Sequence, residues 1–274
     1  MVNLEIQKMK QILRERLGRF VSTESKQYYP QLYSLFEYIR DKNYPAFLCG
    51  GAVRNMLLTN KSIPRDLDII LGYISKEQLE NLFPNNIKGK TSLGGLKLQV
   101  KDWSIDVWPL QDTWAFRDGI FEGISFSDYP KITFLDIEAI AIQLFSKGRK
   151  RREIYSNGFF ESISKKTIEL NFDENPAPAE CIVRALHIAN EYKFLIGPKL
   201  AHYIISHTNR MEIEELVDIY KYRYKSIYIN AERLHNCLNS LKTQIHNSKN
   251  KPVKIFLELN NHFSEQHQVT STIN

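Results

Sequence analysis

Cysteine is scarce in this sequence, which contains only Cys49, Cys181 and Cys237 among its 274 residues. The three lie far apart and form no CxxC pair. This spacing argues against a disulfide framework and against a structural zinc site built on paired cysteines. We therefore expect a protein of a reducing compartment, with the cytoplasm as the predicted location.

Long apolar runs are also missing, since no stretch reaches the roughly 18 apolar residues that a membrane-spanning helix needs. The first residues lack the apolar stretch of a secretory signal peptide. The chain shows no internal repeat and no low-complexity segment. Its hydrophobic fraction of 43% is ordinary for a globular protein, so we predict no membrane segment.

The charge balance is basic, with 37 Lys and Arg residues against 31 Asp and Glu residues and a net charge of +6. An excess of this sign favours a polyanionic partner such as nucleic acid. A basic surface that only keeps the protein soluble is the alternative. The sequence alone does not separate the two until the basic residues are placed near a site.

Hydrophobic spacing divides the chain into a mixed α/β half and a helical half. Apolar residues repeating at three and four positions predict helices in the first half at 3–21, 28–42, 52–58 and 134–146. Short apolar or alternating segments predict strands at 46–49, 66–71, 93–100 and 105–110. After about residue 178 the spacing predicts helices alone, at 178–194, 198–207, 211–222, 226–245 and 253–264. We predict two domains, over residues 1–150 and 151–274.

Gly50 and Gly51 lie between the predicted strand 46–49 and the predicted helix that follows. Two glycines at such a junction let a backbone approach a ligand without a Cβ clash. The N–H groups at the start of a helix, together with its positive dipole end, favour a phosphate. Arg54 in the first turns of that helix adds a forked contact to a triphosphate oxygen. A tight turn without a ligand is the alternative reading.

Asp66 and Asp68 follow on the predicted strand 66–71, fifteen residues after Gly51. Side chains two apart on a strand face the same way, so both carboxylates can share divalent metal ions while Leu67 packs inward. Mg²⁺ prefers oxygen ligands, and two metals can activate a hydroxyl and stabilise a departing pyrophosphate. The glycine pair and the Asp pair together predict a nucleotide-binding metal site, with Mn²⁺ as an alternative to Mg²⁺.

Asp106 is the best candidate for a third carboxylate of this site. It alternates with Ile105 and Val107, as expected of a side chain that points away from the core on a half-buried strand. Asp102 lies at the predicted turn before that strand, and we interpret it as solvated. A polar strand residue without a catalytic role is the alternative reading of Asp106.

These residues resemble a known family. The segment 48–58, with Arg65, Asp66 and Asp68, is similar to the head-domain signature of class II tRNA nucleotidyltransferases (CCA-adding enzymes) and bacterial poly(A) polymerases, of the polymerase-β-like superfamily. The resemblance implies an α+β fold, with a mixed-sheet nucleotidyltransferase head followed by an all-helical neck and C-terminal region. It also implies two-metal transfer from a nucleoside triphosphate to a 3′ hydroxyl. It adds Arg65 to the nucleotide-binding residues.

The resemblance continues downstream with departures. Residues 183–194 resemble the family's neck helix, which supplies Arg184 as a nucleotide-binding candidate, and His187 stands in place of an Arg. Glu138 stands where the family's Phe-Thr-x-Asn-Ala segment, which the family carries on a helix, has its Asn. Asn55 replaces the Asp that usually follows the motif Arg.

The largest departure concerns the base readers. The family's Glu-Asp-x-x-Arg element, which hydrogen-bonds the bases of CTP and ATP, falls here on Ala177, Pro178 and Cys181. None of these side chains supplies charged, forked hydrogen bonds. About 80 residues follow residue 195, which is short for a body and tail that hold a tRNA. Specificity for CCA addition is therefore not carried over.

Two further segments admit two readings each. The basic run 147–152 is either a polyphosphate or nucleic-acid contact or a solvated loop. The stretch from Tyr220 to Tyr228, with interleaved cations, either stacks a single strand or packs in helices, and we favour packing.

The sequence thus predicts a template-independent nucleotidyltransferase that uses a nucleoside triphosphate and a nucleic-acid 3′ end, either an RNA such as tRNA or an oligonucleotide product. One alternative is a specialised transferase that makes an oligonucleotide signal or modifies an RNA, as in antiviral defence or a toxin. The other is a non-catalytic nucleic-acid-binding module. A partner protein or self-association remains open.

Overall fold

Helices and strands alternate in the first half of the chain and helices dominate the second. The structure is a computed structural model that describes residues 2–59, 66–83, 86–91, 94–146, 148, 150–225, 227–255, 257 and 260–261. Its compact units are Met1–Ser164 and Lys165–Asn274. The division lies after residue 150 because Phe159 and Phe160 of the helix Phe159–Lys165 belong to the core of the first unit.

The first unit contains seven α-helices and seven strands among its described residues. The helices are α1 (Val2–Arg19), α2 (Ser25–Tyr28), α3 (Pro30–Asp41), α4 (Gly50–Leu58), α5 (Lys76–Leu82), α6 (Trp114–Arg117) and α7 (Phe159–Lys165). The strands are β1 (Ala46–Cys49), β2 (Asp66–Leu71), β3 (Ile87–Lys90), β4 (Leu96–Val100), β5 (Trp103–Pro109), β6 (Ile140–Gln143) and β7 (Ile154–Ser156). A π-helical segment, Phe20–Glu24, joins α1 to α2.

The seven strands form one mixed sheet in the order β3-β4-β5-β2-β1-β6-β7. β2 and β5 are parallel, and the other neighbouring pairs are antiparallel. The parallel pair places the predicted Asp-x-Asp strand beside the strand of Asp106 at the centre of the sheet. The sequence predictions for β1, β2, α4 and the β4–β5 hairpin agree with this arrangement within a few residues.

One face of the sheet is covered by helices and forms the core. Leu13, Phe20 and Phe36 from the N-terminal helices pack in one cluster with Leu67 and Ile105 of the central strands. Burial alternates along β5, where every second residue from Trp103 to Pro109 is buried and the residues between are half-buried. The half-buried positions therefore face away from the helices, on the second face of the sheet.

Phe126, from the segment between β5 and β6, and Tyr155 of β7 cover part of that second face. Phe126 stacks on Phe47 of β1 with ring centroids 4.1 Å apart, and Tyr155 stacks on the same ring at 5.6 Å. Ile70 on β2 is fully buried. The polar residues of β2, β4 and β5 occupy the rest of this face.

The helix predicted over residues 134–146 is wrong. Asp136–Glu138 is a 3₁₀ turn, and Ile140–Gln143 is strand β6, which pairs with β1 and β7. Residues 139–142 are all buried. A short strand covered on both faces has a continuous apolar run, and its spacing does not distinguish it from a buried helix.

The second unit holds α8 (Pro178–Tyr192), α9 (Pro198–Thr208), α10 (Ile213–Arg223) and α11 (Ala231–Asn247). Short strands accompany them: β8 (Thr167–Ile168) pairs in parallel with β9 (Leu195–Ile196), and β10 (Ile227–Tyr228) pairs with β11 (Asn260–Asn261). α11 begins at Ala231 rather than near 226 because the Asn230 side chain accepts the Arg233 N–H at 2.9 Å and caps the helix.

The helix predicted over residues 253–264 is also wrong where the structure describes the chain. Val253 forms an antiparallel bridge with Ile196, and Asn260–Asn261 is a strand. Tertiary pairing with Ile196 outweighs the local helical spacing there. None of the described helices combines the length and apolar character that crossing a bilayer requires.

Candidate active site

The glycine turn connects β1 to α4, as the sequence predicts. Cys49 is extended, with φ −130° and ψ 170°, and Gly50 then turns the chain with a φ of +61°. L-residues with a side chain pay roughly 1–2 kcal/mol in this left-handed region, so glycine fits it without strain. α4 begins at Gly50, which places the first N–H groups of a nine-residue helix at the end of a central strand. Those groups and the helix dipole suit an anion.

Asp68 lies directly beside this turn. It pairs with Cys49 across β1 and β2, and a Cβ built on Gly50 falls 3.4 Å from Asp68 Oδ2. The absence of a side chain at Gly50 thus leaves room between the helix start and the carboxylate. A ligand held by the N–H groups of α4 therefore lies next to the Asp68 carboxylate.

Asp66, Asp68 and Asp106 share the second face of the sheet. Asp68 pairs with Asp106 and Asp66 with Ser104 across the parallel strands β2 and β5. Adjacent strands are about 4.8 Å apart, and residues two apart on a strand face the same side. Asp66 is exposed and the other two are half-buried. The structure thus brings together the three carboxylates singled out from the sequence.

One carboxylate oxygen of Asp106 is buried without a hydrogen-bond donor. Among the described residues, its buried Oδ1 has no hydrogen-bond partner. Burial raises the pKa of the Asp106 carboxyl, Lys97 lowers it, and the negative charge of Asp66 raises it. A carboxylate oxygen that is buried, ionisable and without a protein donor suits a cation supplied from outside the protein.

Lys97 is a residue of this face that sequence reasoning missed. It pairs with Asp106 across the antiparallel strands β4 and β5 and is exposed. The signal in the sequence was the alternation of apolar and polar residues along β4. Leu96 and Leu98 point into the core, so Lys97 between them lies on the other face of the sheet. Its ammonium is the cation that opposes the raised pKa of Asp106.

These side chains do not by themselves form a closed metal site. In the part of the chain that the structure describes, no group of three or more His, Cys, Asp or Glu side chains is arranged to hold a metal ion. Mg²⁺ is commonly bound by one or two carboxylates together with substrate phosphates and waters. The carboxylate donors and the Asp106 oxygen that lacks a hydrogen-bond partner fit Mg²⁺ bound in that mode.

Arg54 is held inside the protein. Its Nη1 donates to Glu138 Oε1, and the two residues are only 8% and 7% exposed. Its Nε also donates to Asn55 Oδ1 at 3.1 Å. Its assignment as a triphosphate-binding residue stays a prediction. A guanidinium that contacted a triphosphate here would already be paired with the Glu138 carboxylate.

The other two predicted nucleotide-binding residues, Arg65 and Arg184, stay predictions. Arg65 lies outside the described residues. Arg184 is half-buried on α8 in the second unit, and its role stays a prediction. Glu180, also on α8, forms an ion pair with Arg223 of α10. Ala177, Pro178 and Cys181 are all half-buried around the start of α8.

The two ambiguous segments differ where they are described. Lys150 and Arg151 of the basic run are exposed, which leaves both readings of that run open, whereas Tyr220 and Tyr224 of the aromatic stretch are packed. Arg152 at the end of the basic run is half-buried, and its Nε donates to the Leu144 carbonyl at 3.4 Å. In the aromatic stretch, Tyr220 is fully buried and its hydroxyl lies 2.9 Å from His187 Nδ1. Tyr224 stacks on the His187 ring at 3.6 Å. These side chains pack within their own units.

Solved tRNA nucleotidyltransferases have a similar fold. The structure of a CCA-adding enzyme with CTP matches at a TM-score of 0.56 and 18% identity, over 86% of this chain and 55% of its own. The structure of a CCA-adding enzyme with ATP matches at 0.51 and 18%, over 83% and 61%. A tRNA nucleotidyltransferase complexed with a primer tRNA and an incoming ATP analog matches at 0.51 and 16%, over 78% and 70%.

No protein-family model and no curated protein matches the chain. The chain spans less than two thirds of the length of both CCA-adding enzymes. At this level of identity the structural matches bear on the fold. They confirm the predicted α+β architecture, a mixed seven-stranded sheet followed by a helical region, which resembles the fold of the solved CCA-adding enzymes.

Proposed function

We propose that this protein is a nucleotidyltransferase, which transfers a nucleoside monophosphate, ribo or deoxy, from a triphosphate to a hydroxyl. The observation that carries the proposal is the position of Asp68, which lies between the Gly50 turn and Asp106 on adjacent strands. An anion-binding helix start next to paired carboxylates is the arrangement that a metal-bound triphosphate requires. The fold shared with CCA-adding enzymes supports the same class of reaction.

Each group has a defined part in the proposed reaction. The N–H groups at Gly50 and Gly51 bind the triphosphate, with Arg54 behind them and Arg65 and Arg184 as further candidates. Asp66, Asp68 and Asp106 hold Mg²⁺, which supplies charge neutralisation and activation of the hydroxyl when bound. A new bond forms between the hydroxyl oxygen and the α-phosphorus, the α–β anhydride bond breaks, and pyrophosphate leaves. The proton of the hydroxyl passes to a base.

Asp106 suits the role of that base. Its buried Oδ1 has no hydrogen-bond partner among the described residues, so this oxygen can accept the proton of a hydroxyl placed beside it. Its neighbour Asp68 lies nearer the glycine turn and so nearer the triphosphate. This division gives the two half-buried carboxylates different parts in one reaction.

A nucleic-acid 3′ end is the proposed acceptor. The net charge of +6 suits a polyanion, and one solved structure of similar fold is a complex with a primer tRNA and an ATP analog. Ala177, Pro178 and Cys181 lack the groups for reading CTP and ATP as the resemblance describes. We therefore propose an RNA acceptor or an oligonucleotide product, without CCA specificity.

A non-catalytic nucleic-acid-binding module is less well supported. Such a module has no use for carboxylates that face a polyanion, because they repel its phosphates. Asp66, Asp68 and Asp106 all lie on one face, next to an anion-binding turn. The carboxylates therefore favour a metal-dependent reaction over simple binding.

Product analysis tests the proposal. The protein is incubated with Mg²⁺ and each of the eight ribo- and deoxynucleoside triphosphates, with and without tRNA, and the products are resolved by mass spectrometry. We expect pyrophosphate release and a nucleotide-extended product with at least one triphosphate. Product without added RNA would argue for an oligonucleotide-making enzyme rather than one acting on tRNA ends. Absence of product under all conditions, together with no binding of nucleotide in Mg²⁺, would contradict the proposal.

A further inference from the structure

Glu138 and Arg54 form a buried ion pair that links two segments far apart in sequence. Both side chains are less than a tenth exposed, and Nη1 of Arg54 donates to Oε1 of Glu138. A buried charge is stable only when it is paired and hydrogen-bonded, so each side chain fixes the position of the other. Asn55 accepts the Nε hydrogen of Arg54 and restricts the guanidinium further.

The two partners lie behind the glycine turn. Arg54 is the fifth residue of α4, whose first residues are Gly50 and Gly51. Glu138 ends the 3₁₀ turn that precedes β6, and β6 pairs with β1, the strand that enters Gly50. The turn is thus held from two directions, by strand pairing before it and by the ion pair after it.

This arrangement fixes the direction of the helix start. Gly50 is conformationally permissive, with a φ of +61°, so its own backbone does not resist rotation of α4 about the turn. Core packing of Ala52, Val53 and Met56 holds the body of the helix, and the ion pair adds resistance to rotation because moving Arg54 would separate two buried charges. The N–H groups of α4 therefore point in one direction relative to Asp68.

We infer that Glu138 is a positioning residue for triphosphate binding, which acts by holding Arg54 and, through it, the anion-binding start of α4. The inference rests on the proposed function and adds a residue to it. Glu138 itself does not touch the nucleotide. The resemblance implies an uncharged Asn at this position, so an ion pair holding the turn distinguishes this chain from the family pattern.

Binding of Mg²⁺–tripolyphosphate measures this role without depending on the unknown base or acceptor. Glu138→Ala removes the acceptor of the Arg54 hydrogen bond, and Glu138→Gln keeps an oxygen at the same reach. We expect Glu138→Ala to raise the dissociation constant about tenfold, within the range for anions at helix N-termini. We expect Glu138→Gln to raise it by no more than about threefold, because the retained hydrogen bond still orients Arg54, although the lost charge lowers the stability of the fold.

Arg16→Met is the matched control. Arg16 Nη1 donates to the carbonyl oxygens of Met56 and Thr59, so it holds the opposite end of the same helix. We expect its loss to lower the melting temperature and to leave tripolyphosphate affinity unchanged. A merely structural role of Glu138 would give the same result as this control.

The outcomes separate the inference from the proposed function. Unchanged tripolyphosphate affinity in folded Glu138→Ala would overturn the inference, as would equal losses for Ala and Gln. If Glu138→Ala does not fold, Glu138→Asp, which shortens the reach and keeps the charge, must weaken binding more than Gln does. Nucleotide incorporation by the unsubstituted protein, measured in parallel, reports on the proposed function alone. Where incorporation occurs, Glu138→Ala should raise the KM for the triphosphate and leave kcat nearly unchanged. This pattern indicates the loss of binding energy that the ground state and the transition state share.

Discussion

Asp68 and Asp106 are paired residues on the parallel strands β2 and β5, and Asp68 also pairs with Cys49 at the end of β1. Three central strands therefore bring the two carboxylates to the glycine turn. The sheet positions them rigidly, because each strand is hydrogen-bonded on both sides and its alternate residues are buried in the core.

Removing the Asp pair should abolish the reaction without unfolding the protein. We expect the Asp66→Asn, Asp68→Asn double variant to lose more than about a hundredfold in nucleotide incorporation, since even outer-shell partners of a metal are worth 10–100-fold. Circular dichroism should show an unchanged fold, because Asp66 is exposed and Asp68 half-buried. Asp102→Asn, at the exposed β4–β5 turn, is the control. Incorporation that persists in the double variant would contradict the site.

Asp106 should make the stability of the protein depend on pH. Burial and the charge of Asp66 raise the pKa of Asp106 in the folded state, in part offset by Lys97. The stability that protonated Asp106 contributes is thus complete below its unfolded pKa and is lost as the pH rises through the folded pKa. Asp106→Asn, which is neutral throughout, should therefore raise the melting temperature at pH 7 relative to the unsubstituted protein.

The same comparison at pH 4, in EDTA to exclude metal ions, should show a smaller gain for Asp106→Asn. Differential scanning fluorimetry at both pH values gives the measurement. A gain for Asp106→Asn that is independent of pH would show that its pKa is not raised.

A side chain at Gly50 should destabilise the protein. Gly50→Ala places a Cβ in a residue with a φ of +61°, which costs about 1–2 kcal/mol in the free energy of unfolding. Gly51→Ala, at the next position inside α4, should instead be neutral or stabilising by up to about 1 kcal/mol, because alanine is the better helix former. Urea denaturation distinguishes the two, and equal effects would contradict the backbone argument.

The Arg54–Glu138 pair should show strong coupling in a double-mutant cycle. Arg54→Met and Glu138→Leu should each cost about 3–5 kcal/mol, because each leaves a buried charge without its partner. The double variant should cost much less than the sum, since both charges are removed together. The pair Asp128–Lys131, whose Lys is half exposed at 51%, serves as a comparison and should couple by less than about 1 kcal/mol. Additive losses at Arg54 and Glu138 would show that the two do not stabilise one another.

The sequence alone determined the elements that are strongly local. Gly50–Gly51 between an apolar strand and a helix, and the alternating Asp66–Leu71 strand, carry their own signals, because backbone freedom and two-residue periodicity are readable from residue types. From these the sequence grouped Asp66, Asp68 and Asp106 as one site, and the family resemblance that they carry implied the α+β fold. It also identified Glu138 as a departure from the family pattern.

Tertiary structure decided what depends on partners distant in the chain. Residues 140–143 became a strand because β1 and β7 hydrogen-bond to them, and Val253 left its predicted helix because Ile196 pairs with it. Arg54 has the same sequence signal whether it faces a ligand or the interior, and only the approach of Glu138, 84 positions away, fixes it inside. Lys97 likewise became part of the site through its register with Asp106. The spacing of residues in the sequence indicates which side chains share a face of one helix or strand. Strand pairing and buried ion pairs determine which helices and strands contact one another.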